Sequence, residues 1–287
     1  MTDQTQRLPD FLIIGAMKAG TTTLHEDLDR HPDIVTSSWK EPGYFVGPDF
    51  GGPERLPLLA ARRRDYLALF SHVRADQVAG ESSTHYTKMH KLPNAAPHIH
   101  ATLGDKVKLI YVMRDPVARA ISHYGHIFQH GECGIPTLSE ALEAEPSIVD
   151  VSRYSMQLAP YRELFPAENI LCLKFENMAK DRDGYVRRVV EFVGADPDKL
   201  PTLAQIEARN TADSRRSWSP WARRLRAWPV FQTHIEPRIP YSALRVLRGL
   251  VTHTPTPVEL GAPREEIEAR IRARLSPEDF AEWENAG

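Results

Sequence analysis

Cysteine is nearly absent: Cys133 and Cys172 are the only two in 287 residues, and they fall in no metal-binding or redox spacing. That excludes a disulfide framework and points to a reducing compartment. No apolar run approaches the roughly 18 residues a membrane span needs. The amino terminus, MTDQTQRLPD, has no basic segment leading into an apolar stretch, so no signal peptide is expected. An excess of one charge is missing too: the formal net charge is −2, which gives no global case for nucleic acid or for anionic membrane surfaces. No His/Cys/Asp cluster has ligand spacing, so no metal is expected. A soluble, cytoplasmic protein is the expectation, with its oligomeric state unread.

What the chain does have is alternation. Phe11–Ile14 is continuously apolar and reads as a buried strand, followed by a helical pattern over 21–30 that ends near His31-Pro32. The stretch SSWKEPGYFVGPDFGGPERLP has too much glycine and proline for long regular elements. A helix is predicted over 62–70, and a short strand over 77–80 leads into GESSTHY. Lys106–Met113 reads as a second buried strand ending at Arg114-Asp115-Pro116, where Asp115 suits an N-cap and Pro116 the first helical position. Val117, Ile121, Tyr124 and Phe128 form the apolar stripe of the helix that follows, while Arg119, Ser122 and His126 share another face. A helix over 152–165, a strand over 169–175 and a helix over 184–193 continue the pattern. Arginines and tryptophans crowd 209–228, prolines recur over 229–263, and helices are expected from Arg264 and from Ser276-Pro277. This order predicts an α/β fold of P-loop type, a three-layer arrangement with a central parallel sheet of about five strands and helices on both faces. No repeat or low-complexity linker divides it, so one domain over 1–287 is expected, with a core over about 8–217 and a helical, proline-rich extension over about 218–287.

The chemistry-bearing motif is GAMKAGTTTL, residues 15–24. A strand, a glycine-bracketed loop and a helix in that order aim backbone N–H groups and a helix N-terminus at an anion, most often phosphate. The loop nearly matches G-x-x-x-x-G-K-[ST], but Thr21 stands where the lysine should be, and the lysine sits inside the loop as Lys18. There its ammonium could neutralise charge on a bridging oxygen during group transfer; the plain alternative is a surface lysine in a turn. Thr21 and Thr22 are placed to cap the helix and to donate to phosphate oxygens. Arg114 and Ser122 form a second constellation able to converge on one phosphate, for which the guanidinium fork is suited. Their plain alternatives are a pairing of Arg114 with Asp115 and a solvent-facing Ser122.

These segments resemble the PAPS-dependent sulfotransferases, which use 3′-phosphoadenosine 5′-phosphosulfate (PAPS) as sulfuryl donor. FLIIGAMKAGTTTLHEDLDRHPDI resembles the 5′-phosphosulfate loop of that family, and RDPVARAISHY its 3′-phosphate motif. The heparan-sulfate type and its bacterial relatives are the closer match, over roughly residues 10–217. The resemblance implies that Lys18, Ala19, Gly20, Thr21 and Thr22 hold the 5′-phosphosulfate, with Lys18 at the leaving oxygen. It implies that Arg114 and Ser122 hold the 3′-phosphate, and that Arg215 and Arg216, in RRSW, belong to a basic loop closing over it. For that arginine pair a solvated charged face explains the sequence equally well, and Trp218 is expected to pack rather than to stack on adenine. The acceptor's proton needs a base; the family pattern assigns it to Glu41 of WKEPGYF, beside Lys40, with His85 and His123 in reserve. The chain departs from the pattern at Glu81-Ser82-Ser83-Thr84, where heparan-type relatives often carry Glu-Lys-Thr-Pro: the lysine is missing at Ser82.

The expected function is therefore transfer of a sulfuryl group from PAPS to an acceptor hydroxyl of a carbohydrate, lipid or secondary metabolite, leaving PAP, with an amine as the second choice. A P-loop kinase of small molecules is the rival enzyme reading, weakened by the misplaced lysine and by LIYVMRD, where arginine precedes the aspartate. A non-catalytic nucleotide- or polyanion-binding module is the third.

Overall fold

In FLIIG every residue is buried, as the middle strand of a sheet covered on both faces requires. The computed structural model describes residues 7–52, 62–130, 132–203, 217–218, 252–253 and 258–287. Its main sheet is built from β1 (Phe11–Gly15), β2 (Ile34–Thr36), β3 (Val78–Ser82), β4 (Lys108–Met113) and β5 (Ile170–Lys174). They pair in the order β2-β3-β1-β4-β5, parallel throughout. The register sets Ile13 beside Ser82 on one side and Ile110 on the other. The carboxyl ends of β3, β1 and β4 therefore form one edge, the place where open parallel sheets bind ligands.

The helices that follow are α1 (Thr21–Leu28), α2 (Arg63–Ala68), α3 (Ala95–Leu103), α4 (Pro116–His130), α5 (Leu138–Ala144), α6 (Ser147–Asp150), α7 (Tyr154–Leu164), α8 (Phe175–Lys180) and α9 (Arg182–Phe192), of which α1, α2, α4, α7 and α9 match the expected pattern with small boundary shifts. Asp115 does cap α4, accepting from the Ala118 N–H at 2.7 Å, with Pro116 first in the helix. β2, α3, α5, α6 and α8 escaped the sequence reading. β2 is a three-residue edge strand, α3 carries Pro97 in its first turn, and α8 starts at Phe175, where a strand was expected to finish. Among the described residues of the glycine- and proline-rich stretch, two single 3-10 turns form, at Tyr44–Val46 and Pro48–Phe50.

Two buried arginine contacts shape the frame. Arg182 of α9 grips the fully buried Asp27 of α1 with two bonds, 2.8 and 2.6 Å, fixing the helix that leaves the loop. Arg119 of α4 is wholly enclosed and donates to the Ser152 hydroxyl and the Ile148 carbonyl. At the far end of the chain, α10 (Arg264–Arg272) packs on α4 and α5, and α11 (Pro277–Asn285) packs on α7, α4 and β5. A two-residue pairing of β6 (Ser217–Trp218) with β7 (Thr252–His253) lies against α4. Among the described residues no helix is long and apolar enough to cross a membrane.

Candidate active site

The loop after β1 is shaped by contacts that tolerate no side chain at its two glycines. A Cβ on Gly15 would lie 2.1 Å from the Thr87 hydroxyl, and one on Gly20 would lie 2.6 Å from the Phe175 ring. Gly20 also has φ 88°, the left-handed region that favours glycine. The loop is pinned where it begins, because the Ala16 N–H donates to the Val112 carbonyl of β4 at 2.7 Å. Gly20 is itself the N-cap of α1, with no side-chain cap bond and no acidic residue in the first turn. Thr21 and Thr22 therefore do not cap the helix as expected. They are its first two residues, one buried and one half-buried, because a left-handed cap residue leaves their hydroxyls beyond its turn. The positive end of the helix is thus left to a ligand rather than to a carboxylate of its own. Ala19 is fully buried and Lys18 half-buried.

Arg114 leaves the end of β4, one strand from this loop. Tyr154 of α7 clamps its backbone: the hydroxyl donates to the Arg114 carbonyl at 2.6 Å and accepts from the Arg114 N–H at 3.3 Å. Glu176 of α8 accepts the Asp115 N–H at 2.9 Å and, with its other oxygen, the indole N–H of Trp283 in α11 at 3.1 Å. The Arg114 guanidinium stands over the Phe175 ring at 5.4 Å, a cation–π contact. That same ring packs against Gly20. One aromatic side chain thus contacts both turns, bringing the Arg114 guanidinium and the glycine-bracketed loop to the same ring. Ser122 is half-buried about two turns into α4. Arg215 and Arg216 lie outside the described residues, and of Trp218 only the backbone pairing with Thr252 is described.

Glu41 hangs from the end of β3, on the other side of β1. Its N–H donates to the Ser82 carbonyl at 2.7 Å, and the Gly43 N–H donates to the Ser83 hydroxyl at 3.0 Å. Three donors converge on its carboxylate. Lys40 Nζ is 2.7 Å away, the Thr84 hydroxyl 3.2 Å from each oxygen, and His85 Nε2 3.6 Å from Oε2. Burial pushes the acid up, but Lys40, His85 and Lys88 outweigh it and hold the group down to about 2. Glu41 (φ 63°) and Lys18 (φ 71°) are the two non-glycine residues with positive φ among the described residues. That conformation costs an ordinary side chain about 1–2 kcal/mol, and such strain gathers where function demands it.

Beneath this turn lies a carboxyl that the sequence reading passed over. Glu81 is fully buried in β3 and accepts from Tyr66 (2.9 Å), Tyr86 (2.6 Å) and Ser83 (2.8 Å). Through Ser83 it anchors the Gly43 end of the Glu41 turn. A lone glutamate in an apolar strand was the available signal. Burial pushes Glu81 up to about 7 against the pull of those three hydroxyls. Its neighbour Ser82 has a buried hydroxyl with no partner among the described residues, at the position where the expected lysine is missing.

Burial also keeps histidines neutral: it lowers His25 and His85 to about 4 and His123 to about 2, helped respectively by Lys40, Lys88 and Arg119. Between about pH 4 and 6.5 the unfolded chain binds protons at these three sites that the folded protein refuses, so stability rises with pH there. Glu81 acts oppositely, binding its proton in the folded state between 4.5 and about 7. Burial lowers the less enclosed His90 to about 4 as well, so four histidines against one carboxyl leave a net loss on acidification, on the order of a few kcal/mol per pH unit. The melting temperature should drop by several degrees from pH 6.5 to 5.5, read by calorimetry; a flat profile would mean the histidines are solvated.

Glycine-bracketed turn, helix start and parallel sheet together define the P-loop NTPase-like class of α/β fold, as the strand and helix order predicted. Within it the chain belongs to the sulfotransferase family: the family model described as "Sulfotransferase domain" matches residues 8–225. Heparan sulfate glucosamine 3-O-sulfotransferase 3A1 of Mus musculus is 27% identical over 203 residues, covering 68% of this chain and 48% of that protein. The membrane-associated sulfotransferase kil1 of Dictyostelium discoideum is 38% identical over 117 residues, covering 41% of this chain and 22% of that protein. Among solved structures, a sulfotransferase from Alicyclobacillus acidocaldarius superposes with a TM-score of 0.60 at 26% identity, over 85% of this chain and 96% of that one. The chain spans about half the length of the 3-O-sulfotransferase it matches.

Proposed function

We propose that this chain transfers a sulfuryl group from PAPS to an acceptor hydroxyl by in-line displacement, releasing PAP. The observation that carries the reading is the shared edge: the Lys18 and Arg114 turns leave β1 and β4, the Glu41 turn, which follows β2, is tied to the end of neighbouring β3 through Ser82, and Phe175 touches both the Gly20 and the Arg114 turns. The loop, with Lys18, Ala19, Gly20, Thr21 and Thr22, receives the 5′-phosphosulfate; Arg114 and Ser122 receive the 3′-phosphate, and the 215–216 arginines are assigned to the same phosphate from the sequence pattern alone. As the acceptor oxygen bonds to sulfur, the bond from sulfur to the bridging phosphate oxygen breaks. The electron pair stays on PAP, where Lys18 and the helix start stabilise it. The acceptor's proton goes to Glu41.

A carboxylate held near 2 is a weak proton acceptor, so one of its three donors must give way to the acceptor hydroxyl. Lys40 is placed for that role, on the same turn and partly exposed. Relatives named for heparan sulfate favour a glycan hydroxyl as the acceptor, with lipid or secondary-metabolite hydroxyls behind it and an amine as the second choice.

Thermal denaturation with PAP, ADP and ATP tests the donor assignment. PAP at a hundred times its Kd should stabilise by about 2.7 kcal/mol, whereas ADP, lacking the 3′-phosphate, should do far less at equal concentration. Arg114→Ala should erase the difference between PAP and ADP. Equal stabilisation of the wild type by both nucleotides would remove the 3′-phosphate site and return the kinase reading.

A further inference from the structure

We propose that His85 is a positioning residue for Glu41, held in one tautomer by Lys88, so that its Nε2–H faces the carboxylate that takes the acceptor's proton. The inference rests on the sulfotransferase reading above and adds two residues to it.

Geometry and donor chemistry fix the arrangement. Lys88 Nζ lies 3.3 Å from His85 Nδ1, and His85 Nε2 lies 3.6 Å from Glu41 Oε2. An ammonium only donates, so the Nδ1 it faces must be the bare nitrogen of the ring. A neutral imidazole with bare Nδ1 carries its hydrogen on Nε2, the atom turned toward Glu41. His85 therefore has no free lone pair on that side and does not itself take the proton. It acts as a spacer that presents the positive field of Lys88 to the carboxylate through an oriented N–H. All three groups stand on two short turns: Glu41 is tied to the end of β3 through Ser82, and His85 and Lys88 lie on or beside the 3-10 turn at Thr84–Thr87.

The charged groups around the relay favour the same arrangement. Glu41 is faced by Lys40 as well as by His85 and Lys88. His85 is faced by Lys88, Glu41 and Lys40, two cations that oppose a second proton on the ring. Around Lys88 stand Glu41, Glu132, Lys91 and Arg119. Burial lowers the Lys88 ammonium, with Lys91 and Arg119 pushing the same way, and Glu41 and Glu132 oppose that shift without cancelling it. The relay keeps a carboxylate oriented and ionised in a part of the site where the Ser82 position supplies no cation.

Steady-state kinetics across pH, with PAPS and a hydroxyl acceptor, test the relay in His85→Ala, His85→Gln, Lys88→Met and the His85→Ala/Lys88→Met double variant. His85→Ala should lower kcat roughly 10- to 100-fold, leave PAP affinity unchanged and move the acid limb of kcat to higher pH. His85→Gln, whose amide N–H can replace Nε2–H, should recover most of the loss. Lys88→Met should shift the acid limb in the same direction, and the double variant should be no worse than the poorer single one. An unmoved acid limb in His85→Ala, or additive losses, would overturn the relay. So would a His85→Ala enzyme as dead as Glu41→Gln that glutamine does not rescue, since His85 would then be the base. Failure of the underlying reading looks different: Glu41→Gln would keep wild-type rates and its acid limb, whatever the His85 variants do. PAP-dependent melting of each variant shows that the fold and donor site are intact.

Discussion

Lys18→Ala is expected to lower kcat by about a thousandfold while changing PAP affinity only a few-fold. The reason is where the charge goes. On the proposed reading the donor's phosphates are already held in the ground state by backbone N–H groups of the loop, by the α1 start and by Arg114. During transfer the new negative charge appears on the bridging oxygen, which the proposed reading sets beside Lys18. A side chain whose interaction strengthens only as the bond breaks acts on kcat far more than on binding. Single-turnover transfer from radiolabelled PAPS separates the two quantities. Wild-type rates in the alanine variant would refute the assignment, and a collapse of PAP affinity would make Lys18 an ordinary phosphate ligand. Alanine at this position also needs φ 71°, so the melting temperature must be read alongside.

Glu41→Gln should slow transfer by about 10²- to 10⁴-fold. The amide is isosteric and keeps the backbone bond to Ser82, so the turn survives, but it cannot accept a proton. PAP binding should remain, because Glu41 is tied to β3 on one side of β1 and Arg114, the proposed 3′-phosphate ligand, leaves β4 on the other. Loss of the carboxylate also leaves Lys40, Lys88 and His85 without their shared anion. A modest fall in melting temperature is therefore expected, and it should be smaller at low pH. Collapse of PAP affinity in this variant would show that Glu41 holds the donor and not the acceptor.

How far the sequence could be read depended on how local each signal was. β1, β4 and the loop between Gly15 and Gly20 are written in consecutive residues: an apolar run, a glycine pair and a helix pattern. Asp115-Pro116 announces α4 in the same way. Lys18, Glu41 and Arg114 could be singled out as candidates because each sits in such a short motif. What stayed hidden is what requires distant partners. β2 is three residues long and becomes a strand only by pairing with β3. Phe175 reads as the end of a strand, and nothing local says that its ring will pack on Gly20 and lie under Arg114. Glu81, Tyr66 and Tyr86 form one buried network from residues up to twenty positions apart, and Tyr154 reaches Arg114 across forty. The threonines after Gly20 misled for a physical reason: a threonine that follows a left-handed glycine is inside the helix and cannot cap it.

The positive φ of Lys18 and Glu41 also bears on how this protein can be improved. Glycine at either position would relax the backbone and, on the proposed mechanism, remove a reacting group in the same step. A library selected only for heat resistance would accordingly drift toward well-folded molecules that no longer turn over. Any programme to harden this enzyme has to screen for product as well as for survival, and has to leave those two strained bends as they are.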